Sequence, residues 1–330
     1  MMRLQCYYLR FPHGLHVAAE GFGEESVSQT IASDTLFSAV CVAVSRLYGA
    51  EGVQHLLEEG AVVLSSTFPF VGDERFFPRP LSFFPKVPEE QYALLKRLKK
   101  VRYLGQTLFE QVLQGRAPEV HEEHLQGPFW SESLPSGRAI MATHIRPRVA
   151  LDRVTQASQI YHFAEVYFDR EAGLFFLAAF RSDEIQRLFE TGLHLLADEG
   201  IGADRTMGKG WFRWKREELT IQTPEKENTA YVMLLSLYNP RPEEASDIDP
   251  SRSHYALITR RGWVTAPGAM TLRRRAVRFF AEGSVLCFKE NWIPRGGLVA
   301  TLSPEDVPEL PFPVWRNGQA MVVPVYVQPE

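Results

Sequence analysis

The sequence holds little cysteine: Cys6, Cys41 and Cys287 stand far apart in apolar runs, with no C-x-x-C pair. That excludes a zinc ribbon and a disulfide framework, and fits a reduced cytosol. Positive charge is not in excess either. The 36 Lys and Arg against 40 Asp and Glu give a formal net charge of −4. A protein that coats nucleic acid by bulk charge is excluded, while one local basic track is not. No apolar run reaches the length of a membrane span, and the first residues lack the apolar core of a signal peptide. The expectation is a soluble cytoplasmic protein. Metal signatures are missing as well. His121-Glu-Glu-His124 is not H-E-x-x-H, the spacing that sets two histidines on one helix face. Neither metal nor cofactor is expected.

What the chain does have is glycine concentrated in one place. Residues 200–212 read GIGADRTMGKGWF. Gly200, Gly202, Gly208 and Gly210 permit positive φ and close approach of a ligand to the backbone. Arg205 and Lys209 add charge-assisted donors. A Walker A loop is excluded on spacing and order. Five residues separate Gly202 from Gly208, and Gly210 stands where Ser or Thr would meet magnesium. The loop also follows a predicted helix (residues 182–198) and precedes a strand (211–219), the reverse of the required order. A grip on phosphate or RNA backbone is one reading. A glycine-capped helix end with a tight turn is the other; it accounts for Gly200 but not for the remaining glycines and cations.

Elsewhere the pattern alternates between strand and helix. Residues 4–11 read as a first strand. The loop of residues 12–23 carries His13, His16, Gly14, Gly21 and Gly23. Ser33 is the expected N-cap of a helix whose apolar stripe, Leu36 to Tyr48, is core. Its first turn, with Ser33 and Asp34, offers free N–H groups either to a phosphate or to simple capping. Residues 61–71 are β-rich. Residues 75–85 contain Pro78 and Pro80, which argue for an edge strand or an extended segment. Residues 89–114 have helical period and a basic first half. Arg146, Arg148 and Arg153 lie in an extended piece suited to phosphate contacts. Residues 159–168 and 173–180 read as a hairpin, followed by the helix and the glycine loop. With an insertion at about 86–140 set aside, residues 1–221 follow a β-α-β-β-α-β order, the ferredoxin-like or RRM-like plan. Residues 222–229 read as a linker. The strongly apolar run 230–238 starts a second domain, and the remainder, to residue 330, is β-dominated, with strands expected at 255–264, 277–280, 285–289 and 321–327. A second basic cluster, Arg273, Arg274, Arg275 and Arg278, lies in this half.

Four stretches carry a family resemblance: SDTLFSAV from Ser33, RPRVALDRVT from Arg146, the glycine loop, and AEGSV from Ala281. Together, and in this order, they resemble the RAMP proteins of type III CRISPR effector complexes. Within these they are most similar to the fourth-subunit family of the type III-A Csm complex; the equivalent type III-B subunit is the near alternative. The resemblance implies an α+β fold of two ferredoxin-like domains, the second degenerate, divided at 221/222. It implies a non-catalytic, cytoplasmic ribonucleoprotein subunit that binds the repeat-derived 5′ tag of the guide RNA. The implied partners are the guide, the large polymerase/cyclase subunit and the target-cleaving backbone subunit. By matching motif, tag contacts fall on Gly200, Gly202, Arg205, Gly208, Lys209 and Gly210. Ser33 and Asp34 lie beside the loop in such a fold, and Arg148 and Arg153 are added on charge and position.

A guide-processing endoribonuclease of the same fold is the enzymatic alternative. It would use His13 or His16 as general base, with Lys or Arg at the transition state. A general RRM-type binder fits less well, because no strand carries the RNP1 aromatic pattern.

Overall fold

The computed structural model describes residues 1–18, 26–85, 87, 92–134, 137–225, 229–264, 272–289, 294–303, 305, 307 and 313–327. Gly21, Gly23 and Glu89 lie outside them. The fold is mixed α+β, with many strands and few helices.

Strand alternation explains the centre of the molecule. Met2–Arg10 sends Leu4, Cys6 and Tyr8 to one core, and Tyr7 and Leu9 to another. Such period-2 division is what a strand buried on both faces requires. Its neighbour Ala172–Phe180 is buried at every residue from 172 to 178. These two strands form the middle of the main sheet. The order runs Arg213–Ile221, Met2–Arg10, Ala172–Phe180, Phe68–Val71, Glu74–Pro78, Tyr103–Gly105, Phe129–Trp130, Leu125–Gln126. Val62–Leu64 also pairs with Ala172–Phe180. Every pairing in this sheet is antiparallel except Tyr103–Gly105 with Phe129–Trp130.

Helices Ser33–Leu57 and Asp183–Glu199 cover one face, packing Phe37, Val40 and Phe189 on Tyr7 and Phe176. Ser182 caps the second helix, its side chain accepting from the Ile185 N–H at 3.3 Å. The first helix has the length and mean hydropathy, 1.3, of a membrane span. Gly49 breaks it at φ 64, however, and its inward residues Leu36, Val40 and Val44 are core. The other face of the sheet packs on Phe109 and on Met233, Val285 and Val323 of the C-terminal half, in one continuous core. There Tyr231–Leu234 lies between Val285–Cys287 and Val322–Pro324. Two further ribbons lie in this half, Leu257–Arg260 with Val277–Phe280 and Leu298–Leu302 with Val314–Asn317.

Three expectations are corrected. Residues 159–168 and 173–180 do not pair with each other. Ser158–Phe168 pairs along its whole length with Met141–Leu151, in a separate ribbon. The fully apolar Ala172–Phe180 turns instead into the sheet, where both of its faces are covered. Residues 89–114 are not one helix. Helix Tyr92–Leu98, strand Tyr103–Gly105 and helix Gln106–Leu113 divide them. Tyr103 and Leu104 pair with Pro78 and Phe77, so sheet bonding overrides helical period. Finally, Glu74–Pro78 is not an edge strand, since it has a neighbour on each side. Pro78 ends it, where a missing donor is tolerated.

Candidate nucleic-acid interface

The glycine loop grows from the end of helix Asp183–Glu199. Gly200, at φ 82, donates its N–H to Leu196 O at 2.8 Å. Ile201 N–H donates to Gly210 O at 3.0 Å and closes the neck of the loop. Ala203 N–H to His16 O (2.9 Å) and Gly210 N–H to Gly14 O (3.0 Å) pin it on the first loop of the chain. Here glycine is obligatory. A Cβ on Gly202 would stand 2.2 Å from His16 O, and one on Gly210 1.9 Å from Ile201 O. At the tip, around the short turn Arg205–Met207, the side chain of Arg205 and the backbone of Gly202 and Gly208 are exposed.

The loop's second cation points inward. Lys209 Nζ lies 2.8 Å from Glu165 Oε1, 2.8 Å from Tyr167 Oη and 3.0 Å from His13 O. Tyr167 Oη and His13 O take two of the ammonium's three donors, and Glu165 holds it as an ion-pair partner. Arg148 sits 3.8 Å over the Phe163 ring, pairs with Asp204 of the loop, and lies 3.7 Å from Glu165. Arg146 is 3.7 Å from Glu165 with its side chain largely exposed. The Glu165 carboxylate, 1% exposed, is thus the hub that ties the loop to the ribbon. Burial opposes its ionisation, but hydrogen bonds from Lys209 and Tyr167 and the charges of Lys209 and Arg146 hold it below the ordinary carboxylate range. The same pairing outweighs burial at Lys209 and holds that ammonium above its ordinary value. Arg153 is exposed in the turn of the ribbon, where Asp152 accepts from the Val154 and Thr155 N–H groups.

The start of the first helix is different from the expectation. Its N-cap is Ala32, without a side-chain cap. Ser33 donates its N–H to Ser66 Oγ at 2.9 Å and accepts from the Leu237 N–H at 3.1 Å. Asp34 is 0% exposed and takes Arg260 at 3.2 Å and Arg316 as ion-pair partners. Burial pushes its carboxyl up, but the two arginines win and hold it below the ordinary value. The open helix terminus expected from the sequence is therefore a closed charge cluster. Its arginines lie 226 and 282 residues away in the chain, so no local signal reveals them. Nearby, Glu282 of the AEGSV stretch accepts from Ser66 Oγ, and burial raises its carboxyl above the ordinary range.

The candidate histidines separate. His16 is 3% exposed, with Nδ1 2.5 Å from Ala164 O and its ring stacked on Phe163 at 4.2 Å. His13 is exposed, its ring 5.8 Å from that of Trp211. Among the described residues, no group of three His, Cys, Asp or Glu side chains is placed to hold a metal ion.

Known proteins share this architecture. One is a chain of a Csm1-Csm4 cassette crystallised with cA4, 23% identical, covering 100% of each chain at a TM-score of 0.65. Another is a chain of a Csm3-Csm4 subcomplex of the type III-A CRISPR-Cas interference complex, 17% identical, covering 98% of this chain and 100% of that one at 0.64. The fold is therefore shared with chains of these Csm complexes. Sequence narrows this further. The CRISPR Csm4 C-terminal domain matches residues 227–325. The CRISPR system Cms protein Csm4 of Thermococcus onnurineus is 31% identical over 264 residues, 77% of this chain and 81% of the relative. That of Mycobacterium tuberculosis is 26% identical over 267 residues, 80% and 82% of the two chains. The chain belongs to the Csm4 family of type III-A CRISPR effector subunits.

Proposed function

We propose that this chain is the non-catalytic, cytoplasmic cap of a type III-A effector complex. It binds the 5′ tag of the guide RNA and anchors the large polymerase/cyclase subunit to the target-cleaving backbone subunit. The observation that carries the RNA reading is the exposed tip of the glycine loop. There the Arg205 guanidinium has no ion-pair partner among the described residues. The partner reading is supported by solved relatives in which Csm4 stands with Csm1 and with Csm3.

On this reading, Gly202, Arg205 and Gly208 meet the tag's phosphates, and Arg153 extends the contact along the ribbon. Backbone N–H groups and one guanidinium fix the register of the strand and leave its bases free to be read. Lys209, Gly200 and Gly210 shape the loop, and Arg148 locks it to the ribbon. Ser33 and Asp34 act from behind, holding the two halves together. The division is a domain of residues 1–221, with its insertion at about 86–140, and a domain of 222–330. Both are read as ferredoxin-like. For the first, the sheet order last-first-third-second, with two helices on one face, supports the plan. The enzyme alternative loses ground because His16 is enclosed.

The test is binding of the purified chain to RNA that begins with the host's repeat-derived tag, with incubation of repeat RNA in chelator alongside. Tag binding weakened by Arg205→Ala, without cleavage, supports the reading. Specific cleavage abolished by His13→Ala overturns it.

A further inference from the structure

A cleft of about 320 Å³ lies behind the glycine loop, between the first helix and the C-terminal half. It is large enough for a small ligand. Its walls hold Arg205 and Gly202 of the loop, and Arg260, Arg274, Arg316 and Trp263 from the other half. Two carboxylates line it as well, and both are already taken. Asp34 is bound by Arg260 and Arg316, and Glu199 by Arg46.

The cations are left in excess. Arg316, 4% exposed, gives Nη1 to Asp34 and Nη2 to Arg261 O at 2.9 Å, and its buried Nε has no acceptor. Arg274 is in the same position: its Nε is buried without an acceptor, and among the described residues no carboxylate pairs with it. Burial, and then the charge of Arg316, push its guanidinium down to about 10. Holding an unpaired guanidinium out of water is costly. An unsatisfied group of this kind calls for a partner from outside the chain, such as an ion. The planar fork of arginine matches phosphate oxygens. At the mouth, Trp263 is 54% exposed, and Arg273 lies 4.5 Å over its ring. An exposed indole is a stacking surface for a base.

We propose that this cleft is a nucleotide site of single-stranded RNA, taking one phosphate at Arg274 and Arg316 with the adjoining base on Trp263. It rests on the reading that RNA crosses the glycine loop, because Gly202 and Arg205 line the same cleft and lead the strand into it. A phosphate seated there touches both halves of the chain, so RNA binding also fastens one half to the other.

The experiment uses the full chain, as wild type, Arg274→Gln, Trp263→Ala and Arg205→Ala. Affinity for the tag RNA is measured across a salt series, and melting temperature is measured with and without inorganic phosphate. The cleft predicts that Arg274→Gln binds the RNA about tenfold more weakly, with a salt slope shallower by about 0.7, the loss of one phosphate contact to a single strand. Without ligand this variant melts at or above the wild-type temperature, because a half-buried charge with no paired carboxylate is gone. Trp263→Ala weakens binding with the slope unchanged. An unchanged slope for Arg274→Gln, or a lowered melting point without ligand, makes the guanidinium structural and overturns the proposal; the loop reading survives if Arg205→Ala still weakens binding. If wild type binds no RNA, the proposed function fails, and the cleft is then decided by phosphate. Phosphate that raises the melting temperature of wild type but not of Arg274→Gln keeps an anion site, and no rise in either removes it.

Discussion

The glycine loop and the first turn of the first helix face one cleft, and in sequence both look like phosphate sites. The fold treats them in opposite ways. At the loop, Lys209 is spent on Glu165, Tyr167 and His13, while Arg205 stays at the surface. At the helix, Ser33 and Asp34 are buried, and Asp34 is paired twice. The contrast shows that residue type gives a charge but not its availability. Availability depends on partners brought in from far along the chain. A site therefore needs both kinds of group, a buried cation to hold the loop in place and an exposed one to meet the ligand.

The largest effect expected from breaking this contrast is at Asp34. Asp34→Ala removes the buried carboxylate that Arg316 and Arg260 share, and breaking a buried pair costs about 3–5 kcal/mol. Urea unfolding measures it; a loss below about 1 kcal/mol, the scale of an exposed pair, would return Asp34 to the surface. Next come the glycines. Gly210→Ala carries about 1–2 kcal/mol for a left-handed residue and a further ~1–3 kcal/mol of overpacking against Ile201 O. Gly208→Ala, at φ 76 with open space around it, carries only the first. Equal melting points for the two variants would remove the distinction between the neck of the loop and its tip.

A third comparison separates the two loop cations. Lys209→Ala removes the closest partner of a buried carboxylate, and is expected to cost about 1–3 kcal/mol. Arg205→Ala stays within about 0.5 kcal/mol of wild type and acts on RNA alone. The smallest effect is in acid. Asp34 and Glu165 both ionise below the ordinary carboxylate range in the folded chain. The unfolded chain therefore binds more protons as pH falls. The stability these groups contribute is complete above the ordinary range, about pH 4, and is lost as pH drops through their depressed values. Glu165→Gln should flatten that acid limb in a pH series of melting temperatures. An unaltered limb would mean that Glu165 titrates as an ordinary carboxyl.

Much of the first half was legible because its signals are local. Alternation placed Met2–Arg10, and Ser182 with Gly200 framed a helix. The mixed α+β class was readable from element sequence alone, even though residues 159–168 were assigned to the wrong partner. That error is physical: two neighbouring apolar runs look like a hairpin, and only the burial of Ala172–Phe180 on both faces reveals that it belongs in the sheet. Gly202 and Gly210 were identified for the right conformational property but for a different neighbour, since their close approach is to the chain's own carbonyls. Glu165 and Arg316 were missed altogether. A glutamate on a strand and an arginine near the C-terminus say nothing until the fold brings Lys209 to one and Asp34 to the other.

The central claim is that the exposed tip of the glycine loop holds RNA through Arg205. Its most direct test is the affinity of the full chain for guide-tag RNA across a salt series, with Arg205→Ala beside wild type. A charge-assisted contact to phosphate contributes about 1.5–3 kcal/mol. The variant should therefore bind at least about tenfold more weakly, with a slope shallower by about 0.7 and an unchanged melting temperature. Wild-type affinity and slope in Arg205→Ala would contradict the account and move the RNA off the loop.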